Sequence, residues 1–228
     1  MSNKYAALVK ALRTKRGFSQ SDIANKLGIS RPSYIAIEQG KRELTLSEAE
    51  KLSDVLGVSL REMENGVTSN YEKYKQMILA YLRNTGSKDG RVPKTKLAKL
   101  VYLADFGWFY SHLESMSGMQ YRKIQYGPVP DVYFRAVDEL FEEGKIEITP
   151  TQEGAMLIAQ TRTGGKVALS ELNQEEEQFI KTVATKWKGK NTKEIVAFTH
   201  NQLPYAVCSD NEIIPYELIT QENPEDVY

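Results

Sequence analysis

The chain has 228 residues, of which 41% are apolar and 26% charged, and its 30 basic side chains balance 30 acidic ones. That length suits two compact domains, and the composition excludes a disordered or collagen-like polymer. The single cysteine, Cys208, excludes an intrachain disulfide framework and fits a reducing cytosol. The opening MSNKYAALVK lacks an apolar signal core and no apolar run reaches membrane-spanning length, so a cytoplasmic protein without a membrane partner is expected.

Zero net charge conceals an asymmetry. Residues 1–42 carry nine basic side chains against two acids, Asp22 and Glu38, a net +7; residues 43–66 carry two against six, a net −4. A basic front beside an acidic back suits a module that faces phosphate. The spacing predicts an amphipathic helix over 4–16, with Leu8, Ala11 and Leu12 inward and Gly17 ending it. Ser19 with Asp22, Thr45 with Glu48 and Ser59 with Glu62 read as helix starts, and five short helices fit into 4–64. Within 20–39, Ala24 is small where two helices cross, Gly28 suits the turn between them, and Ile23, Leu27, Tyr34 and Ile37 fill the core positions. This is helix-turn-helix spacing.

The stretch 4–64, with its IEQGKR ending, resembles the phage-repressor (Cro/C1, or XRE) family. The resemblance implies that the helix capped by Ser30 enters the major groove. Arg31, Pro32, Ser33 and Ala36 then lie on its outer side: Arg31 is suited to grip a guanine edge, and Pro32 and Ala36 to meet a thymine methyl. Ser19, Gln20, Lys41 and Arg42 are placed near phosphates. One module covers a half-site, so a homodimer on palindromic operator DNA is expected, although no coiled-coil seam is present to carry it.

NGVTSN at 65–70 reads as turn-rich, which sets an N-terminal domain at 1–66, a linker at 67–70 and a second domain at 71–228. The overall class is mainly α: a five-helix helix-turn-helix domain, then an α+β, helix-dominated domain. Helices are predicted at 71–83, 93–113, 130–143, 173–188 and 191–202, with a polar loop at 84–92. Residues 118–126 read as extended, and the Gly-Pro-x-Pro stretch after them as a break in regular structure. Val132, Ala136, Val137, Leu140 and Phe141 mark the apolar side of the third helix. KIEIT and AMLIA form a candidate hairpin, the EEE run at 175–177 an exposed first helical turn, and the tail from 220 a loose end. The 94–112 helix is apolar nearly all round, as at the centre of a domain.

The pattern from Lys96 to Asp105, Tyr121, and Tyr126-Gly127-Pro128-Val129-Pro130 before Tyr133 resemble the Panacea, or SocA-like, domain of bacterial and phage antitoxins, over about 72–215. THNQLPYAV at 199–207 is a weaker echo, with Tyr205 where tryptophan is commoner. The resemblance implies binding and neutralisation of a toxin encoded beside the chain, and repression of its own operon through the N-terminal domain. Tyr121, Tyr126, Gly127, Pro128 and Tyr133 are the candidate toxin-binding residues, because proline-framed tyrosines lose little entropy on binding. A phage or mobile-element repressor whose second domain dimerises or senses a signal is the alternative. His112, His200 and Cys208 come with no nucleophile motif, zinc spacing is absent, and GGK at 164–166 lacks phosphate-loop spacing. No catalytic residue, metal or cofactor is therefore expected.

Overall fold

Capping chemistry sets the helix boundaries in the N-terminal part. The computed structural model describes residues 3–56, 69–84 and 90–228, and the chain falls into two units, Met1–Ser69 and Asn70–Tyr228. The first unit contains α1 (Asn3–Lys15), α2 (Gln20–Leu27), α3 (Arg31–Glu38) and α4 (Leu46–Leu56). At α2 the Ser19 N–H donates to the Asp22 carboxylate (2.7 Å) and the Asp22 N–H to Ser19 Oγ (3.1 Å), closing a capping box. Thr45 and Glu48 make the same reciprocal pair ahead of α4. Gly28 turns the chain between α2 and α3 at φ 73°, which a residue with a Cβ adopts only at a cost.

The core of this unit joins Val9, Ile23, Ala24, Leu27, Tyr34, Leu52 and Leu56. On α1 the inward stripe runs Ala6, Val9, Leu12, and Ala11 is exposed, because steps of three residues carry the buried face past position 11. The Leu8 side chain, the helix start at Ser59 and Glu62, and residues 67–68 of the linker lie outside the described residues.

The second unit is built around one helix. Its elements are α5 (Tyr71–Asn84), β1 (Arg91–Pro93), α6 (Lys94–His112), β2 (Tyr121–Ile124), β3 (Gly127–Pro130), α7 (Tyr133–Glu142), β4 (Ile146–Pro150) and β5 (Met156–Gln160). A single turn α8 (Arg162–Gly165), α9 (Gln174–Lys186), α10 (Thr192–Asn201) and α11 (Leu203–Val207) follow, then 3-10 turns at Tyr216–Gln221 and Pro224–Asp226. Every residue of α6 from Leu97 to Trp108 is buried, so the helix has no solvated face along that stretch.

The strands form an antiparallel sheet ordered β1-β5-β4, with Ile158 opposite Val92 on one side and Ile148 on the other, and a separate ribbon of β2 and β3. Lys73 pairs with Glu176 at 2.7 Å, and Lys75 lies between Glu139 (3.2 Å) and Glu143 (2.8 Å), fastening α5 to α9 and α7.

Four expectations are corrected. Gly127–Pro130 does not break the structure; it is strand β3, paired Tyr121 to Pro130 and Ile124 to Gly127. Strand β3 pairs with β2 alone, so its prolines sit where a missing N–H costs no ladder bond. Helix α7 accordingly starts at Tyr133 rather than 130, and Phe141 is half exposed, with Tyr133 buried in the core. Of the EEE run, Glu176 is buried, since it closes a capping box with Asn173 besides pairing with Lys73. The tail is ordered: Gln202 donates to the carbonyls of Asp226 (2.8 Å) and Val227 (2.9 Å), Val227 is fully buried, and the Tyr228 ring meets Phe179 edge-on at 5.0 Å.

Candidate functional site: nucleic-acid interface and hairpin corner

In the first unit a polar chain runs from the interior to the start of α3. The Arg13 guanidinium donates to Glu38 at 2.6 Å, Gln20 Nε2 donates to the same carboxylate at 3.0 Å, and Arg31 Nη2 reaches Gln20 Oε1 at 3.4 Å. Burial alone would push Glu38 up, but the hydrogen bonds from Arg13 and Gln20 hold its carboxyl below the usual range. One buried carboxylate thus fixes the first residue of α2, which in turn steadies the first residue of α3.

Arg31 and Pro32 are exposed at the N-terminal end of α3; Ser33 and Ala36 are half buried beside them. The Ser33 N–H donates to Ser30 Oγ at 3.2 Å, and the two hydroxyls share a hydrogen bond of 2.8 Å, so Ser33 belongs to the cap. Ser19 is likewise engaged in its capping box. Lys41 is exposed just past Gly40, which leaves α3 at φ 67°. Arg42 is half buried. Its guanidinium donates to Glu48 at 2.7 Å, which ties its charge to the cap of α4.

In the second unit the residues singled out as a corner converge around β2 and β3. The outer edge of β2 is closed by the segment after α11: the Ile214 N–H donates to Tyr121 O (2.9 Å), the Lys123 N–H to Glu212 O (2.9 Å) and the Asn211 N–H to Lys123 O (2.7 Å). From below, Lys99 Nζ of α6 donates to Pro128 O at 2.9 Å. Gly127 has φ 97°, and a Cβ there would lie 2.6 Å from Lys99 Cε and 3.0 Å from His200 Nε2. Glycine is required here twice over, by its dihedral and by the amine beneath it.

His200 stacks on Tyr205 at 4.3 Å, Tyr205 donates its hydroxyl to Ile124 O (2.9 Å), and Lys123 Nζ lies 4.7 Å over the same ring while donating to Cys208 O (2.9 Å). Burial, with no acid beside it, pushes the Lys99 amine down to about 7. Asp105 lies deeper. It accepts from the Ser117 N–H (2.7 Å), the Ser117 hydroxyl and the Tyr121 hydroxyl (2.8 Å), yet burial still pushes its carboxyl up to about 6.

This geometry corrects the candidate partner surface. Tyr121 is fully buried under Asp105, and Tyr133 is buried with its hydroxyl on Lys94 O at 2.6 Å, so neither ring can meet a partner. Gly127 and Pro128 are buried as well. Tyr126 alone of the five projects, 66% exposed at the two-residue hairpin tip; Val207 of α11 is exposed as well. The support roles of Lys99, His200 and Tyr205 are not legible in the sequence, because nothing in one dimension shows that α6 and α10 meet under one hairpin.

Comparison with known families decides the assignment. A model described as helix-turn-helix matches residues 9–63, and one described as antitoxin SocA-like, Panacea domain, matches residues 97–204. The chain is a helix-turn-helix protein with a Panacea domain fused behind it. Its helix-turn-helix part is 31% identical over 75 residues to the cryptic phage CTXphi transcriptional repressor RstR of Vibrio cholerae, covering 32% of this chain and 68% of that protein. It is 39% identical over 64 residues to an SPbeta prophage-derived helix-turn-helix regulator of Bacillus subtilis (28% and 59%). To a helix-turn-helix regulator of Methanocaldococcus jannaschii it is 38% identical over 63 residues (28% and 89%). These likenesses cover about a third of the chain or less. No solved structure matches it.

In the Panacea domain the motif residues now have physical roles. Lys96 donates to Trp187 O (3.0 Å) and to Lys190 O where α9 ends, Lys99 holds the hairpin, Tyr102 fills the core, and Asp105 fixes Tyr121 and the Ser117 loop. The families and relatives matched are DNA-binding regulators and antitoxin-like proteins. Among the described residues no group of His, Cys, Asp and Glu could hold a metal ion, and no helix is long and apolar enough to cross a membrane.

Proposed function

We propose that this chain is the antitoxin of a type II toxin–antitoxin pair, acting as a binding protein rather than an enzyme. Its helix-turn-helix domain, as a homodimer, represses the chain's own operon: Arg31 reads a base edge with Pro32, Ser33 and Ala36 beside it, and Ser19, Gln20, Lys41 and Arg42 lie toward the phosphates. The Panacea domain holds a protein toxin, encoded next to the chain, through the hairpin corner. Tyr126 and Val207 are its exposed contacts; Gly127 and Pro128 set the corner's shape, and Tyr121 and Tyr133 support it from inside. The observation that carries this reading is the fusion itself, a DNA-reading module joined to a SocA-like Panacea domain with one tyrosine left outside on a rigid tip.

Rigidity favours the tyrosine as an anchor, because a ring on a held backbone loses little conformational freedom when it is buried against a partner. The reading is tested by co-purification. The tagged chain is expected to retain the product of the adjacent reading frame, and Tyr126→Ala to retain much less of it at unchanged melting temperature. Wild-type chain that comes down alone sinks the antitoxin role. The second reading, a phage or mobile-element repressor whose second domain dimerises or senses a signal, is favoured by the phage and prophage origin of two relatives. It expects operator binding with no retained neighbour.

A further inference from the structure

Over residues 70–228 acids outnumber bases, 22 to 19, yet residues 181–193 hold five lysines and no acid. Four of them, Lys186, Lys188, Lys190 and Lys193, are exposed along the end of α9, the turn to α10 and the first turn of α10. The turn is held in place. Trp187 is buried under it, Gly189 supplies φ 80°, and Lys96 Nζ from α6 donates to both Trp187 O and Lys190 O. Lys96 thereby adds a fixed cation to the ridge, and Lys94 opens the same helix. Glu194, the next acid in the chain, turns its carboxylate back to accept from the Asn191 N–H at 2.6 Å, closing the cap of α10. Among the described residues Lys188, Lys190 and Lys193 enter no ion pair with a side chain.

Like charges crowded on a held turn repel one another, and an anionic partner relieves that cost. We propose that this lysine ridge binds the phosphate backbone of the DNA flanking the operator, as a second contact that carries no sequence information. Three observations favour DNA over an acidic protein. Lysine is depleted at the cores of protein interfaces, which are anchored by exposed aromatic and apolar side chains; of the two rings against the ridge, Trp187 is buried and Tyr228, under Lys186, is half buried. Compact ammonium groups are sufficient for phosphate, which needs charge rather than shape. The ridge also shares a chain with an operator reader, so operator binding raises its effective concentration near DNA, on the order of millimolar for a short tether.

The proposal rests on operator binding by α3, and its test separates the two. Full-length chain and the variant Lys188→Gln/Lys190→Gln/Lys193→Gln, matched for circular dichroism and melting temperature, are titrated on fluorescent DNA from upstream of the gene between about 50 and about 200 mM salt. Each phosphate contact contributes about 0.9 to the slope of log affinity against log salt, so the variant, which removes three, is expected to lose about 2.7 units of slope and to bind about tenfold more weakly at low salt. The loss should be the same when the sequence flanking the operator is scrambled. A variant with unchanged slope and affinity overturns the proposal, and so does one that binds DNA normally but no longer retains the neighbouring protein. Wild-type chain that binds no upstream DNA fails the operator reading itself, and the ridge falls with it.

Discussion

Lys99 and Asp105 share the buried stretch of α6, and each meets burial differently. Asp105 is surrounded by donors, whereas Lys99 donates to the carbonyl of Pro128 and has no acid close enough to hold its proton. In the folded domain the amine releases its proton near 7, and in the unfolded chain near 10.5. Between those values the unfolded state binds more protons, so raising the pH through that window favours the folded state. Asp105 has the opposite sign: its raised folded value means stability falls as pH climbs from the ordinary carboxylate range to about 6. Lys99→Met removes the first effect. Its melting temperature is expected to rise less than the wild type's between pH 7 and pH 10, and parallel curves for the two proteins would assign that dependence to other groups.

At the scale of elements, the β2–β3 hairpin shows where sequence and fold parted. Capping boxes at Ser19 and Thr45, the glycine turn at Gly28, and the all-round apolar run of α6 were legible, because each depends on residues within a few positions of one another. The hairpin was not, since two prolines normally argue against a strand. Only the knowledge that β3 pairs on one side makes them acceptable. The burial of Tyr121 and Tyr133 was hidden for the same reason: it depends on Asp105 and on Lys94 of another element. The ordered tail depends on Gln202, more than twenty positions upstream.

Gly127 is the point at which this element can be broken. Gly127→Ala forces a Cβ into the left-handed region and against Lys99 Cε, and is expected to destabilise the Panacea domain by about 1–3 kcal/mol. Denaturant unfolding measures it. A cost within about 0.5 kcal/mol, the usual range of a surface change, would mean that the amine simply moves aside.

At the scale of the whole molecule, two sets of residues are kept separate in the sequence and in the fold. Arg31 stands on the helix-turn-helix domain and Tyr126 on the Panacea domain, each on an exposed tip braced from inside, by Gln20 and Glu38 in one case and by Lys99, Tyr205 and His200 in the other. On the proposed function, such an arrangement would let one chain silence a promoter and restrain a protein with different atoms. It also means that damage to one tip should spare the other.

The most direct measurement is growth of cells that express the adjacent reading frame together with the wild-type chain, Arg31→Ala or Tyr126→Ala, while a reporter reads the native promoter. The account predicts that wild type restores growth and silences the reporter, that Arg31→Ala restores growth but leaves the reporter on, and that Tyr126→Ala silences the reporter without restoring growth. Wild-type chain that restores no growth to cells harmed by that frame, or two variants that lose both activities together, would contradict it.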